Sequence, residues 1–444
     1  MNIANIGSFI DENCPGLGAR ARHNFEAWLE GTVDGAPISS NLPSHHLPFQ
    51  RWYRFKEAFS PLLVMEAISN LEFWPTTCLD CFGGSGTTAL TCQFLGIDPT
   101  TIEVNPFLAD LIEAKLSTYE AKQLLDDYAS VIQNSAVQKV DLRSIRSEQW
   151  PASMVEPGIN GRWIFPKETF RRILAIRKAI QEIESPVNQR LMRVLLGSIL
   201  VDVSNVAISG KGRRYRGNWE ATQKSPQDVT LAFQAAFQEA LADITTHGDR
   251  QTNNYTLLRG DARVQVEHAG DIDVALFSPP YPNSFDYTDI YNVELWVLGY
   301  IKTREDNTQL RESTLRSHVQ VFRDMSWDGL GSPKLKKTVR ALHAKRDQLW
   351  NKNLPDMVGA YFADLNRILT SLRPKMNPEG AVLMTVGDSR YAGVLVDVGD
   401  ILSELAADAG YVCEAITPIR AMRTSVQQGW VASLSEDLVR LRPV

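Results

Sequence analysis

The sequence lacks the features that mark membrane and secreted proteins. Its 444 residues contain no apolar run near the roughly 20 residues that a membrane-spanning helix requires. Residues 1–16, MNIANIGSFIDENCPG, have neither the basic start nor the apolar stretch of a secretory signal peptide. We therefore expect a cytoplasmic protein that has no membrane partner.

Cysteine is scarce too, which argues against a fold held together by disulfides. The chain has five cysteines, a number that fits a compartment in which thiols stay reduced. Cys78 and Cys81 have the C-x-x-C spacing of many zinc and redox sites, but no second pair of ligands with zinc-like spacing accompanies them. Because both lie in an apolar, strand-like stretch, we interpret them as core residues and predict no metal.

An excess of positive charge is also absent. The chain has 46 Lys and Arg against 52 Asp and Glu, a formal net charge of −6, so any nucleic-acid surface must be a local patch. With 44% hydrophobic and 22% charged residues, the composition is that of a soluble globular protein. Its length predicts either one core with large insertions or two domains.

What the sequence does contain is an alternation of strand and helix patterns, which predicts a parallel α/β sheet. Residues 78–82 and 100–105 predict strands and 87–95 the helix between them, while Ser60 and Pro61 predict the start of an earlier helix. The patterns divide the chain into an N-terminal segment with the first half of the core (1–117), a helical insertion (118–250), a second half of the core (251–300), a polar and partly basic insertion (301–355) and a C-terminal continuation of the core (356–444).

A glycine-rich turn follows the first of these strands, in the sequence DCFGGSGTT at 80–88. Glycines let a ligand approach the backbone closely, and the helix that follows offers free N–H groups. The turn has neither the G-x-G-x-x-G of dinucleotide-binding proteins nor the G-K-[ST] of a P-loop. It is therefore a candidate for another kind of nucleoside ligand, and a simple strand–helix turn is the alternative.

Two acidic residues stand where later strands are predicted to end. Glu103 follows the glycine turn by about 20 residues, the place from which an acidic side chain accepts hydrogen bonds from ribose hydroxyls in nucleoside-binding α/β folds. Asp261 ends the segment LLRGD, where its carboxylate is suited either to an adenine amino group or to capping a following helix. Both interpretations of Asp261 stay open from the residues alone.

The tetrapeptide Ser278-Pro279-Pro280-Tyr281 is the most informative motif. Two consecutive prolines after a buried strand stiffen the chain and remove two N–H donors, so the carbonyls there act only as acceptors. A hydroxyl and a rigid carbonyl together suit an exocyclic amine, which has two N–H groups to donate. The tyrosine adds a flat face on which a base can stack.

Together these motifs resemble the amino-group DNA methyltransferases, which methylate cytosine N4 or adenine N6. The resemblance is carried by FGGSGTT (82–88), Glu103, the GD pair (260–261) and SPPY (278–281), with RWYRFKEAFSP (51–61) similar to a cofactor-contacting motif and GDSRYAG (387–393) to a later core motif. It covers most of residues 50–115, 255–300 and 357–442 and leaves the two insertions uncovered.

The resemblance implies a Rossmann-like α/β methyltransferase core, with a mixed, mostly parallel sheet flanked by helices and a large helical insertion. It also implies the cofactor S-adenosyl-L-methionine (SAM). The cofactor-binding residues it implies are Phe55, Phe59, Ser60, Asp80, Phe82, Gly83, Gly84, Ser85, Gly86, Thr87, Thr88, Glu103, Asn105, Asp261 and Ala262. Ser278 to Tyr281 are the implied catalytic residues, and a serine at the first position favours cytosine N4 over adenine N6.

The chemistry explains why such a tetrapeptide is needed. The amine of cytosine or adenine is conjugated with its ring, so its lone pair is a weak nucleophile. Hydrogen bonds from its N–H groups to Ser278 and the Pro279 carbonyl favour a more tetrahedral nitrogen, and orientation supplies much of the rate. Methylation of cytosine C5 would need a nucleophilic cysteine, typically in a Pro-Cys pair, and the sequence contains no such pair.

A local basic and aromatic segment is the predicted nucleic-acid contact. In SGKGRRYRGNW (209–219) basic side chains alternate with glycines and aromatics, and we interpret the segment as a flexible loop that follows phosphates and stacks on bases. The predicted contact residues are Lys211, Arg213, Arg214, Tyr215, Arg216 and Trp219. A solvated loop is the alternative. A second cluster, between Lys334 and Arg346, favours neither a phosphate-binding surface nor an ordinary charged helix.

The expected substrate is double-stranded DNA, with the target base flipped into a pocket because its amine cannot reach a methyl donor inside the stack. Asp286 and Tyr287, just after the tetrapeptide, are expected near that pocket. A cognate restriction or defence partner is a further expectation. Two alternatives stay open: methylation of another amine, on an RNA base or a glutamine amide, and a catalytically silent subunit that binds SAM or DNA.

Overall fold

The computed structural model describes residues 19–30, 38–42, 44–141, 150–209, 212–248, 250, 254–283, 285–422 and 434–444. The strands, numbered in chain order, are β1 (Thr77–Asp80), β2 (Asp98–Glu103), β3 (Val206–Ser209), β4 (Gly212–Tyr215), β5 (Thr256–Arg259), β6 (Ile272–Phe277), β7 (Met376–Gly387), β8 (Ser389–Tyr391), β9 (Val394–Val396), β10 (Tyr411–Met422) and β11 (Leu434–Pro443).

Seven of these strands form one sheet in the order β10-β11-β7-β6-β1-β2-β5. Neighbours from β7 to β5 pair in parallel, and only β11 is antiparallel to both of its neighbours. The chain proceeds outward from β1 through β2 to β5 and then returns to the other side of β1 with β6. This mostly parallel sheet confirms the predicted fold class, a Rossmann-like methyltransferase core.

Helices flank the sheet, and several begin at caps that the sequence supplies. The helices are α1 (Ala19–Leu29), α2 (Pro61–Ser69), α3 (Thr87–Phe94), α4 (Pro106–Leu116), α5 (Ala121–Val137), α6 (Lys167–Gln181), α7 (Pro186–Ile199), α8 (Pro226–His247), α9 (Ala262–Gln265), α10 (Tyr287–Ile290), α11 (Asn292–Val297), α12 (Arg304–Glu312), α13 (Pro333–Ala344), α14 (Leu354–Leu372) and α15 (Val398–Ala406). As predicted, α2 starts at Ser60-Pro61, where the Ser60 hydroxyl accepts the Leu62 N–H at 3.2 Å. Asn105 caps α4 in the same way.

The helical stretch after α4 packs directly on the core. Gly197 of α7 lies so close to the Phe107 ring of α4 that a Cβ there would be 2.5 Å from it. Buried side chains of α5 to α8 belong to the same apolar cluster as those of α2, α3 and α4. Among the described residues, no helix is both long and apolar enough to cross a membrane.

One prediction inside this stretch is wrong. The basic segment around Arg213 is not a flexible loop, because β3 and β4 pair as an antiparallel hairpin. The sequence does contain a strand pattern, since Val206, Ala207 and Ile208 are followed by basic and aromatic residues. The glycines on both sides of the basic residues led us to predict a loop instead. Cys78 and Cys81 are buried in the core, as interpreted from the sequence.

Candidate active site

The sheet topology brings the two main motifs to the same place. Strands β1 and β6 are adjacent and parallel, so the glycine turn that follows β1 and the tetrapeptide that follows β6 leave the same edge of the sheet. This is where the strand order reverses, the usual ligand position in open α/β sheets. A cavity of about 340 Å³ opens there, within the roughly 300–1,000 Å³ typical of ligand pockets.

Most of the residues predicted for cofactor and target lie on the wall of this cavity. Those that line it are Phe55, Phe59, Asp80, Phe82, Gly83, Gly84, Ser85, Thr87, Glu103, Asn105, Asp261, Ala262, Ser278, Pro279, Pro280 and Tyr281. Ser60, Gly86 and Thr88 do not line it. Ser60 is fully buried as the cap of α2, while Gly86 and Thr88 start α3 behind the wall.

The glycine turn needs its glycines for two separate reasons. A Cβ on Gly83 would lie 2.3 Å from the Thr101 Cγ2 of β2, so the turn can approach the neighbouring strand only without a side chain. Gly84 has φ +51°, a region that side chains disfavour, and a Cβ there would lie 3.1 Å from the Phe55 ring. The turn is therefore held between β2 and Phe55.

Glu103 ties the turn to the next strand. Its Oε2 accepts the Gly84 N–H and its Oε1 accepts the Asn105 N–H, each at 2.7 Å. Burial raises the pKa of Glu103 to about 7, against the lowering effect of those N–H groups. A carboxylate has about four lone-pair positions, so Glu103 can still accept a hydrogen bond from a donor in the cavity.

Two further carboxyl groups face the same cavity. Burial raises the pKa of Asp80 to about 6, although the Phe82 N–H donates to it at 2.9 Å. Asp261 caps α9 and forms a bidentate pair with Arg263, whose Nε lies 3.0 Å from both carboxylate oxygens. Of the two interpretations of Asp261, the helix cap is therefore observed, and an adenine amine would share the carboxylate with Arg263.

A network of buried tyrosines and acids supports the segment that carries Phe55. The Phe55 ring stacks on Tyr291 at 5.1 Å, and the Tyr291 hydroxyl donates to Glu57. Tyr53 donates to Glu294 at 2.8 Å, and burial raises the pKa of Glu294 to about 7. These bonds fix the apolar wall beside the glycine turn.

Tyr281 of the tetrapeptide is held at both ends. Its hydroxyl donates to Glu436 Oε1 of β11 at 2.7 Å and receives a longer bond of 3.4 Å from the Ser278 hydroxyl. Its ring lies against the backbone of Gly387 at the end of β7, where a Cβ would be 2.5 Å from the ring. Glu436 in turn forms a bidentate pair with Arg420 of β10.

A third wall of the cavity comes from the polar insertion and was not predicted from the sequence. Ser313, Thr314, Leu315, Ser317 and His318 line the cavity after α12. The Arg311 Nε donates to Asp286 at 2.7 Å, which ties this segment to the residues after the tetrapeptide. Nothing in the local sequence marks these residues, because only the fold brings them to the site. Asp286 and Tyr287 do lie at the site, as expected: Tyr287 lines the cavity and Asp286 adjoins it.

His318 is the one imidazole of this wall. Burial lowers its pKa to about 4, against the opposing effect of Asp286, so the ring is neutral near pH 7. Its Nε2 lies 3.4 Å from the Thr314 hydroxyl. Arg420 and Glu436 were missed as well, since they lie far along the chain from every motif.

The basic hairpin lies beside the cavity, and two of its arginines are already bound to other parts of the protein. Lys56, on the cavity wall, donates to the Ile208 carbonyl of β3 at 2.9 Å, and Arg213 lies 3.8 Å from Asp289 of α10. Arg216 donates to the carbonyls of Val201 and Ser204. The structure therefore commits Arg216 to the hairpin base.

The aromatic residues of the hairpin form a small stack. Trp219 is buried between Tyr215 and Trp163, at ring distances of 5.4 and 4.9 Å. Arg214 is exposed and forms no ion pair with any described residue. Lys211, also predicted as a contact, lies outside the described residues.

The second basic cluster is partly used in packing. Lys334 donates to Asp397 at 2.8 Å and also contacts Asp400, while Lys345 donates to the Ala392 carbonyl. Lys336, Lys337 and Arg340 of α13 are exposed. The structure thus leaves both interpretations of this helix in place.

The cavity has the groups that SAM requires. Carboxyl groups of Asp80, Glu103 and Asp261 suit its hydroxyls, amines and positive charge, and Phe55 and Phe82 offer apolar surface. The glycine turn leaves room for close approach to the backbone. These residues therefore fit the predicted cofactor.

No family model matches the sequence. The chain is similar to the Type II methyltransferase M.AvaI of Nostoc sp., with 27% identity over 408 residues that cover 83% of this chain and 80% of that protein. It is also similar to the Type II methyltransferase M.BsoBI of Geobacillus stearothermophilus, with 24% identity over 414 residues that cover 81% and 78%. These relatives confirm the predicted enzyme class, a SAM-dependent methyltransferase.

Among solved structures, TehB from Haemophilus influenzae matches with a TM-score of 0.30 and 7% identity, over 86% of this chain and 62% of that one. The glycopeptide N-methyltransferase MtfA matches with a TM-score of 0.27 and 9% identity, over 86% and 90%. At these TM-scores the similarity is weak, and the fold class follows from the strand order β10-β11-β7-β6-β1-β2-β5.

Proposed function

We propose that the protein is a site-specific DNA methyltransferase that transfers a methyl group from SAM to the exocyclic amine of a flipped base, with cytosine N4 as the favoured target. The observation that carries the proposal is the common cavity of the glycine turn, Glu103 and the tetrapeptide. The Type II methyltransferase relatives support DNA as the substrate, and a cognate restriction partner would follow from the same relationship.

In this proposal each wall of the cavity has a separate task. The glycine turn, Glu103 and Asp261 bind the cofactor, which supplies a methyl group on a positively charged sulfur. Ser278 and the Pro279 carbonyl accept the two N–H groups of the amine, and Tyr281 stacks on the base. The Tyr281 hydroxyl donates to Glu436 at the edge of the ring, so the face of the ring stays available for stacking.

The basic hairpin is the proposed contact to the DNA backbone. Contacts with Lys56 and Asp289 hold the hairpin beside the cavity. DNA phosphates bound to the hairpin would therefore place a flipped nucleotide near the tetrapeptide. Arg214 is exposed and is the first candidate for this contact, and Arg213 is the second, since within the described part of the chain only a 3.8 Å ion pair with Asp289 holds its side chain. Arg216, Tyr215 and Trp219 would act mainly by holding the hairpin in shape.

One assay tests the substrate directly. The purified protein is incubated with methyl-labelled SAM and, in parallel, with duplex DNA that lacks base methylation, with tRNA and with protein. We expect label in DNA, and in N4-methylcytosine after digestion to nucleosides. Label in RNA or protein alone would refute the DNA proposal, and no transfer to any substrate would favour a catalytically silent subunit.

A further inference from the structure

We propose that Arg420 and Glu436 read the target base: Glu436 positions Tyr281 and the Ser278 hydroxyl, and Arg420 donates hydrogen bonds to the ring acceptors of a cytosine. This inference rests on the proposed function and deepens it, because it names the residues that would select a pyrimidine. Neither residue belongs to a sequence motif of the cofactor or of the tetrapeptide.

Glu436 fixes the direction of a short chain of hydrogen bonds. It is only 2% exposed and pairs with the Arg420 guanidinium, and a carboxylate paired in this way accepts hydrogen bonds, so the Tyr281 hydroxyl donates to it at 2.7 Å. The Tyr281 oxygen then accepts from the Ser278 hydroxyl at 3.4 Å. With its proton directed toward Tyr281, Ser278 presents lone pairs to the cavity, as an amine that donates N–H groups requires.

Among the described residues, Arg420 has hydrogen-bond partners on one edge only. Its Nε donates to Glu436 Oε2 at 2.5 Å and its Nη2 to Oε1 at 3.2 Å, which occupies two of the five N–H groups of the planar fork. The side chain is 33% exposed and lines the cavity. The remaining N–H groups of Nη1 and Nη2 therefore belong to an edge that Glu436 does not cover.

That free edge matches one base better than the other. Beside its amine, cytosine presents two adjacent acceptors, N3 and O2, to which a guanine in the duplex donates a parallel pair of N–H groups. A guanidinium offers the same paired donors. Adenine presents a single acceptor, N1, followed by a C–H group. Acceptors at Ser278 and Pro279 together with donors at Arg420 thus complement the whole pairing edge of cytosine.

Arg420→Lys is the most informative variant, because it keeps the positive charge beside Glu436 but removes the planar guanidinium and its paired N–H donors. The full-length protein is assayed with labelled SAM on DNA that lacks base methylation, and N4-methylcytosine and N6-methyladenine are quantified after digestion. We expect wild type to form N4-methylcytosine and Arg420→Lys to form it at a rate lower by roughly tenfold or more. SAM affinity and melting temperature should stay at wild-type values.

The control is a second acid–arginine cluster on the same two strands. Glu414 of β10 pairs with Arg440 and Arg442 of β11 away from the cavity. Glu414→Gln should leave the rate and the methylated base unchanged. If Arg420→Lys does not fold, Arg420→Gln combined with Glu436→Gln removes both charges, leaves no unpaired buried carboxylate and should show the same loss.

The positioning role of Glu436 is tested by a double-mutant cycle. Tyr281→Phe keeps the ring and removes the hydroxyl, and Glu436→Gln keeps the shape and removes the charge. If Glu436 acts through Tyr281, the two losses in kcat are not additive, whereas independent roles give additive losses and overturn the inference.

The outcomes separate the inference from the proposed function. Wild-type transfer to DNA combined with an unaltered rate and product in Arg420→Lys overturns the inference alone. Formation of N6-methyladenine alone by wild type also overturns it, while transfer to a DNA amine still stands. Absence of any label in DNA refutes the proposed function itself.

Discussion

The two halves of the cavity are assembled in different ways. Most of the cofactor half comes from one short stretch, in which β1, the glycine turn, β2 and Asn105 follow one another along the chain, and Phe55 and Asp261 complete it from either side of that stretch. The target half combines the tetrapeptide with the polar insertion and with β10 and β11, which are distant in sequence. The first half is therefore a local motif, and the second depends on the completed sheet.

This difference predicts that the two halves can be damaged separately. Changes on the cofactor side should weaken SAM binding, whereas changes on the target side should lower transfer and leave SAM binding intact. A residue that altered both to the same extent would contradict the division.

The largest effect is expected from Ser278→Ala combined with Tyr281→Ala. Loss of the hydroxyl acceptor and of the stacking face should lower kcat by about 10³-fold or more, because both act on the reacting amine. Calorimetry should find SAM affinity within about twofold of wild type. Unchanged turnover would refute the proposed mechanism. Loss of SAM binding would show that the cofactor half and the target half of the cavity cannot be altered separately.

The cofactor half is tested by Glu103→Gln. A neutral amide accepts hydrogen bonds more weakly than a carboxylate, so SAM affinity should fall by about 10- to 100-fold. The pH dependence gives a second test. The pKa of Glu103 is about 7, so lowering the pH from 8 to 6 protonates the carboxyl and should weaken SAM binding, by at most about tenfold per pH unit. In Glu103→Gln only the weaker dependence near pH 6 should remain, because burial raises the pKa of Asp80 in the same cavity to about 6; full persistence from pH 8 would assign the effect to another group.

The same contrast explains what the sequence could predict. The glycine turn, Glu103 and the tetrapeptide were predictable because each depends on local rules: close backbone approach, a carboxylate at a strand end, and prolines without N–H groups. The start of α2 was predictable from Ser60 and Pro61 for the same reason. Ser60 also shows the limit, since its hydroxyl is used in capping and not in the cavity.

Residues that reach the site only through the fold were not predictable. Glu436 sits in an ordinary strand pattern, and its proximity to Tyr281 depends on the order β11-β7-β6 in the sheet. His318 lies between α12 and α13 of the polar insertion, in a stretch that forms neither helix nor strand. The hairpin was misinterpreted for a related reason: the pairing of β3 with β4 and the packing of Trp219 on Tyr215 and Trp163 depend on the fold and not on the local composition.

Gly387→Ala tests whether the shape of the target half matters apart from its polar groups. A Cβ there would lie 2.5 Å from the Tyr281 ring and must displace it. We expect kcat to fall about tenfold because the ring that should stack on the base is displaced, with SAM affinity unchanged and a loss of stability of roughly 1–3 kcal/mol from the overpacking. Gly270→Ala is the matched control, because no atom lies within 4 Å of its Cβ position. Equal behaviour of the two variants would show that the Tyr281 ring moves freely.

The smallest effect is expected at the edge of the target half, from Arg214→Ala. Arg214 is exposed on β4 of the hairpin, and it forms no ion pair within the described parts of the chain, so its removal should cost only a phosphate contact. DNA affinity should fall a few-fold, and the slope of log affinity against log salt concentration should decrease in magnitude by roughly 1, while SAM affinity is unaltered.

The control is Arg367→Ala, which removes the same charge from an exposed position on α14. Because a net charge of −6 makes general attraction to DNA weak, only a residue on the binding path should alter the slope. If both variants reduced it equally, the hairpin would have no special role in binding DNA.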